Sequence, residues 1–319
     1  GPHEPCPGRG CTQRDPCVRL HLVMARLDDP RRRGRPVRPT PPSEGRGVTR
    51  EAFDLTGRTA VITGGTGVLG SAMARALAQA GARVAVLGRR ADVAERVAQE
   101  LAQDGATAMA LPADVLDPDG LAEAAEKLQS TWGPADVLVN AAGGNRPDAL
   151  VHGDRTLFDM PADAFRAVLD LNLTGTLLPI QAFGKAMADT GRGSIINISS
   201  MAARKPLTRV IGYAAAKAGV DNLTQWLSVH AATTWGEGVR VNAIAPGFFV
   251  GEQNRALLLN EDGTPTERGA QILAHTPMGR FGNPDDLAGT VVWLASPASA
   301  FVTGIVVPVD GGYDAFGGV

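Results

Sequence analysis

Cysteine stops at position 17: Cys6, Cys11 and Cys17 are the only three in a chain of 319 residues. Disulfides therefore cannot hold the rest of the chain together. His3 and His21 stand near the cysteines, but the spacing fits no common zinc site and no apolar pattern surrounds them to orient ligands. No metal is expected. No apolar run approaches the roughly 18 residues that a membrane-spanning helix needs. Tyrosine occurs only twice, at Tyr213 and Tyr313, and no internal repeat is visible.

The first 50 residues also lack lysine and apolar periodicity, while carrying eleven Arg, five acids and many Pro. Such a segment buries too little surface to offset its ordering entropy. Residues 1–50 accordingly read as a disordered Arg/Pro-rich extension and residues 51–319 as one domain. The net charge of −2 hides a contrast, because 20 basic and 28 acidic residues remain beyond position 50. An acidic body argues against a nucleic-acid enzyme, although Arg31 to Arg38 ("RRRGRPVR") offers a nonspecific phosphate contact. Pro and acids spoil an amphipathic transit helix in the extension, so the expected setting is cytoplasmic. The expected partner is a small-molecule substrate, with neither nucleic acid nor membrane.

With 44% hydrophobic and 20% charged residues, the chain has material for one large α/β core. Short apolar runs at 60–63, 84–87, 108–111, 137–140, 194–199, 239–245 and 305–309 alternate with amphipathic stretches such as 121–132, 162–187 and 214–235. That alternation predicts a Rossmann-type α/β fold: a doubly wound parallel sheet, helices on both faces, ligands at the carboxyl ends of the strands. One irregular insertion, 248–284, interrupts it, and a loop of that length in a compact domain is usually functional, often a lid.

The stretch "VITGGTGVLGSAMARALAQAGARVAVLGRR" (Val61 to Arg90) reads as strand, tight turn, helix and second parallel strand. Gly64, Gly65, Gly67 and Gly70 let the backbone approach a pyrophosphate. Thr66, Val68 and Leu69 complete the turn into a helix N-terminus, whose amides and dipole favour anions. Further on, Asp114 and Val115 follow the third strand, where the carboxylate is placed to hydrogen-bond an adenine. Asn140, Ala141 and Gly143 lie in "NAAGG", where the chain passes close under a flat ring. The second strand ends Gly88-Arg89-Arg90 with no acid before Asp92, so Arg89 favours the 2′-phosphate of NADP over the ribose hydroxyl of NAD. The cofactor is expected to be NADP or NAD.

Tyr213 and Lys217 stand four positions apart, neighbours on one helix face. An ammonium beside a phenol favours the phenolate and is expected to lower the tyrosine pKa from about 10, making Tyr213 a general acid or base.

At this point the sequence resembles the short-chain dehydrogenase/reductase family across residues 54–313. The elements that carry the likeness, in order, are "TGGTGVLG", "PADV", "NAAG", "DLNLTG", "SIINISS", "YAAAK", "RVNAIAPG" and "VTGIVVPVDGG". The resemblance implies that Tyr213 donates or accepts the proton and that Lys217 binds the nicotinamide ribose and tunes Tyr213. It further implies that Ser200 orients the substrate carbonyl, Asn172 anchors a proton-relay water, and Pro246-Gly247 lie against the cofactor. Ser200 rather than Ser199 stands thirteen residues before Tyr213, the spacing the family uses. Two positions depart from the pattern. Val68 replaces the usual middle glycine, giving the Thr-Gly-x-x-Gly-x-x-Gly spacing of extended members, and Gly251 stands where many members place a Thr against the nicotinamide amide. The family also implies a homo-oligomer, commonly a dimer or homotetramer built through the long helices.

Longer stretches, including "APGFFVGEQNRALLLNEDG" and "ERGAQILAHTPMGRFGNP", resemble the branch that interconverts D-fructuronate and D-mannonate. A sugar acid needs a carboxylate clamp, for which Arg is the best bidentate donor. Asn145, Arg146, Arg204, Lys205, Arg209 and Arg255 all fall in loops at the carboxyl edge of the expected sheet, and Asn145, Arg209 and Arg255 are the substrate candidates. His275 reads as a helix-end histidine, and Leu257 to Leu259 as an inward-packing stripe. Reduction of another carbonyl, such as a gluconate-type keto acid or a 3-oxoacyl thioester, is a second reading. A non-catalytic nucleotide sensor on the same fold is a third.

Overall fold

A computed structural model describes residues 50–251 and 254–318. The expectations for the extension, its cysteines, His3 and His21 lie outside the described residues.

Seven strands form one all-parallel sheet: β1 (Thr59–Thr63), β2 (Arg83–Gly88), β3 (Ala108–Pro112), β4 (Val137–Asn140), β5 (Arg192–Ile198), β6 (Gly238–Pro246) and β7 (Val306–Val309). Their order is β3-β2-β1-β4-β5-β6-β7. Each strand lies within two residues of its expected run. The helices are α1 (Val68–Gln79), α2 (Ala91–Gln103), α3 (Pro118–Trp132), α4 (Ala162–Leu169), α5 (Gly175–Thr190), α6 (Ile211–His230), α7 (Arg255–Leu258), α8 (Glu267–Ala274) and α9 (Ala288–Ala295).

Side-chain alternation along the strands explains the two helical layers. Ala60, Ile62, Val84, Val86, Val137 and Val139 face α1, α2 and α9 through Met73, Leu77, Leu101 and Leu294. The intervening Val61, Ala85, Leu87 and Leu138 face α3, α5 and α6 through Leu121, Leu128, Ile180, Phe183, Met187 and Leu227. Each fully buried Leu or Ile contributes about 1.5–3 kcal/mol, so two apolar layers outweigh any surface pair in holding the sheet. At the start of α3, Asp117 caps by accepting from the Asp119 amide, with Pro118 pre-set at the first helical position.

Three expectations need correction. The stretch 162–187 is not one helix: α4 and α5 are joined by a π turn, Asp170–Thr174. The helix expected at 214–235 starts earlier, at Ile211, and its last five residues, Ala231–Trp235, form a second π turn. The insertion 248–284 contains α7, α8 and two isolated bridges, Phe249 to Gly282 and Leu259 to Pro265. Of the stripe Leu257 to Leu259 only Leu258 is buried, whereas Leu257 is exposed.

The strand order places the site. After β3 the chain returns across β1 to β4, so the connections leaving the carboxyl ends of β1 and β4 run in opposite directions and open a crevice, the usual ligand position of such sheets. A cavity of about 180 Å³ lined by Arg58, Asp136, Arg192 and Arg240 lies at the opposite, amino-terminal edge. Among the described residues, no helix is long and apolar enough to cross a membrane.

Candidate active site

The turn after β1 is built by exclusion of side chains. Gly64 has φ +62°, and a Cβ there would stand 2.7 Å from the Ala142 backbone at the end of β4. A Cβ on Gly70 would collide with the Gly64 carbonyl oxygen. The Gly67 amide donates to that carbonyl at 2.9 Å and closes the turn. Gly67 also occupies the N-cap of α1 without supplying a side-chain acceptor. The first amides of α1 are thus left to a ligand, and a dinucleotide pyrophosphate fits this cradle of backbone N–H groups. Val68, in place of a glycine, is partly exposed and leaves the turn intact; a Cβ on Gly251 would stand 3.7 Å from a Val68 methyl. Gly247 packs against Asp310 so closely that a Cβ would sit 2.7 Å from its Cα.

The charged groups expected at the adenosine end face one another. Arg89 Nη1 lies 3.9 Å from Asp114 Oδ2, both exposed, while Asp114 Oδ1 accepts from the Leu116 amide at 3.0 Å. An exposed pair at that separation is weak, so Arg89 remains available to a phosphate.

At the end of β4, Asn140 Nδ2 donates to Asn197 Oδ1 at 3.0 Å, and Asn197 Nδ2 donates to Thr224 Oγ1 at 2.9 Å. This buried ladder ties β4, β5 and α6 into one frame. The fully buried Asn172 sits in the π turn, where its Nδ2 donates to the Gly144 and Val168 carbonyls at 2.7 and 2.8 Å. Its Oδ1 accepts from the Gly144 amide at 3.1 Å. Asn172 therefore pins the loop 143–144, and a Cβ on Gly143 would meet Asn172 Oδ1 at 2.7 Å and Lys217 Nζ at 3.3 Å.

Lys217 and Tyr213 share one face of α6 as their spacing requires. Lys217 is 3% exposed; its Nζ donates to the Ile198 carbonyl at 2.7 Å and stands 5.5 Å from the Tyr213 ring centroid. Ser200 ends the β5 loop, caps the short turn Met201–Ala203 by accepting from the Ala202 amide at 3.1 Å, and faces the Tyr213 hydroxyl. Ser200, Tyr213, Lys217, Asn172 and Gly143 thus meet at one sheet edge, beside the cradle.

The expected direction of the Tyr213 pKa is corrected. Burial pushes the phenol above its ordinary value, and the Ser200 hydroxyl draws it down by less. The Lys217 ammonium lies over the ring face, bound to a carbonyl, rather than at the phenol oxygen. Burial also lowers Lys217 itself to about 8, against a smaller opposing pull from Asp221. Below that pH the lysine is charged in both folded and unfolded chains. Between about 8 and 10.5 the folded protein holds it neutral while the unfolded chain still binds the proton, so its contribution to stability rises with pH across that window. Denaturant unfolding of wild type and Lys217→Met is expected to diverge in this sense above pH 8; a pH-independent difference would contradict it.

The substrate candidates separate by their partners. Arg146 is held in a bidentate pair with Asp148 at 2.9 and 2.7 Å, and Asn145 accepts from the Arg146 amide. Arg204 bonds Asp314 at 3.2 Å and lies 3.9 Å from Asp221. Arg209 and Arg255 have no acidic partner among the described residues. His275 ends α8, with Nδ1 2.8 Å from the Gln271 carbonyl oxygen, as expected of a helix-end histidine.

Asp221 and Arg268 escaped the sequence reading. Asp221 lies one turn beyond Lys217, a spacing that could have found it; its Oδ1 is buried without a hydrogen-bond partner, and burial raises its pKa. Arg268 is half-buried on α8 and carried no signal beyond its place in a polar segment.

The profile of a family described as enoyl-(acyl carrier protein) reductase matches residues 66–314. A protein of Bacillus subtilis named uncharacterized oxidoreductase UxuB is 50% identical over 275 residues, 83% of this chain and 98% of that one. A crystal structure from Haemophilus influenza with bound NAD, provisionally designated a D-mannonate oxidoreductase, is 42% identical with a TM-score of 0.79, covering 85% of this chain and 99% of its own. A gluconate 5-dehydrogenase from Burkholderia cenocepacia, in complex with NADP and tartrate, is 32% identical with a TM-score of 0.76, covering 84% and 99%.

Proposed function

This chain belongs to the short-chain dehydrogenase/reductase family of NAD(P)-dependent oxidoreductases acting on alcohol groups, and on that premise we propose that it interconverts a keto sugar acid and its hydroxy acid, D-fructuronate and D-mannonate. The observation that carries the chemistry is the meeting of Ser200, Tyr213 and Lys217 beside the glycine cradle at the carboxyl edge of the sheet. Support for the substrate comes from the Haemophilus influenza structure and the sugar-acid dehydrogenase among the neighbours, together with unpaired arginines near the site.

Gly64, Gly65, Thr66, Gly67, Val68 and Leu69 would hold the pyrophosphate, Asp114 and Val115 the adenine, Arg89 a 2′-phosphate, and Asn140, Ala141, Gly143, Lys217, Pro246 and Gly247 the nicotinamide half. When bound, the dinucleotide supplies a hydride in reduction and accepts one in oxidation. Ser200 and Tyr213 hydroxyls donate to the substrate carbonyl oxygen and polarise it. Tyr213 then delivers its proton to the developing alkoxide. A phenol whose pKa burial raises keeps that proton until it is needed, which suits reduction. Lys217, charged below about pH 8, supplies positive potential behind the ring.

Initial rates with D-fructuronate, 5-keto-D-gluconate and a 3-oxoacyl thioester, each with NADH and NADPH, test this reading. Turnover of fructuronate above the others is expected, and a preference for either alternative, or binding of dinucleotide with no turnover at all, would overturn it. The lean toward NADP is carried by Arg89, so Arg89→Ala is expected to weaken NADPH about tenfold, the loss of one charge-assisted contact, and to leave NADH unchanged. Trp226 and Val229 on α6 are 61% and 66% exposed, which supports a homo-oligomer built through this helix, read directly by sedimentation velocity. The extension and the single catalytic domain, residues 1–50 and 51–319, remain part of the proposal, as does a cytoplasmic setting.

A further inference from the structure

We propose that Arg209 and Arg268 together form a receptor for the substrate carboxylate, with Arg268 the residue by which the 248–284 segment recognises an anionic substrate. The proposal deepens the reading given above and rests on it for the identity of the cleft.

Three separate stretches converge here. Thr208 and Arg209 lie in the loop before α6, four residues from Tyr213; Arg268 lies in the first turn of α8; Tyr313 lies in the carboxyl-terminal tail. Arg268 Nη1 donates to Thr208 Oγ1 at 3.3 Å, joining α8 to the loop that leads into the catalytic helix. Tyr313 makes an edge contact with Phe248, where the 248–284 segment begins, ring centroids 5.1 Å apart. The Arg268 guanidinium is close enough to Arg209 to feel its charge and close enough to Tyr313 to draw that phenol down, although burial dominates at both Arg268 and Tyr313.

Two features set this pair apart from Arg146 and Arg204. Arg146 and Arg204 are neutralised by Asp148 and by Asp314, whereas neither Arg209 nor Arg268 has an acidic partner among the described residues. A pair of guanidiniums brought together, one of them half-buried, repels itself and gains when an anion is placed between them. Arg209 also has φ +76°, the one positive φ at a non-glycine among the described residues. Its carbonyl accepts from the Val151 amide at 3.0 Å, which holds the backbone in this conformation. Left-handed backbone is strained at a residue with a long side chain and persists where surroundings over-determine it, commonly at ligand clamps. A planar monoanion of carboxylate size matches two guanidinium forks, with the Tyr313 and Thr208 hydroxyls available to neighbouring substrate hydroxyls.

Calorimetric titration of the NAD-loaded protein with D-mannonate and with uncharged D-mannitol tests the clamp. Arg209→Gln and Arg268→Gln are each expected to weaken D-mannonate about 10- to 100-fold, the range for a lost charge-assisted contact, while D-mannitol and NAD affinities stay as in wild type. The double variant should bind the two polyols alike. Mannonate affinity retained in Arg268→Gln, equal losses for charged and neutral ligands, or no mannonate binding by wild type would overturn the proposal. If mannonate binds through both arginines yet fructuronate is not reduced, the clamp stands and the assigned reaction fails.

Discussion

Tyr213→Phe is expected to lower kcat for keto-acid reduction by about 10³-fold, within the range for loss of a positioned general acid. The ring survives the substitution, so the Lys217 contact over its face, 5.5 Å from the centroid, and the packing of α6 on Ala149, Ala164 and Val168 are retained. What is lost is one hydroxyl, the partner of Ser200 and the source of the proton. The loss should appear in kcat and kcat/KM alike, since the contact strengthens as the alkoxide forms, and dinucleotide binding should be unchanged. Stopped-flow reduction at saturating cofactor measures it. A variant within threefold of wild type would mean the proton comes from elsewhere, because general acid catalysis by a single group is worth about 10² or more.

The second large effect belongs to the cradle. Gly70→Ala adds a methyl where the Gly64 carbonyl oxygen already stands, with the Gly65 Cα 3.0 Å away. Gly64 cannot retreat, because its own Cβ space is filled by the backbone of Ala141 and Ala142 at 2.7–2.8 Å. The strain must separate β1 from α1, and overpacking of this kind costs about 1–3 kcal/mol. Because the turn that moves is the one presenting amides to the pyrophosphate, dinucleotide affinity should fall at least about 100-fold, the equivalent of two or more charge-assisted contacts. Gly289→Ala in α9 is the control: nothing lies within 4 Å of a Cβ there, so that variant should be neutral or slightly stabilising. Fluorescence titration with NADH and thermal unfolding on both variants separate the outcomes. Unchanged NADH affinity in Gly70→Ala would show that the turn tolerates what its geometry forbids.

Charge was the least legible property from sequence. Arg146, Arg204, Arg209 and Arg255 looked alike as loop cations, yet Arg146 is claimed by Asp148 two residues away and Arg204 by Asp314 in the tail, 110 residues on. The same holds for Tyr213. The four-residue spacing to Lys217 correctly placed the two on one helix face, but the sign of the phenol's shift depends on how much protein covers both groups.

The order of strands and helices, the glycine turn, and the spacing of Ser200, Tyr213 and Lys217 were set by the sequence alone. Each depends on local periodicity: alternation by two for strands, near four for helices, and backbone freedom at Gly64 and Gly70. The π turn that buries Asn172, the desolvation of Asp221 beside Lys217, and the approach of Arg268 to Arg209 were decided only by the tertiary structure. Those outcomes hinge on desolvation and on contacts between distant segments, which no local pattern encodes because each group's energy is fixed by neighbours that folding brings to it.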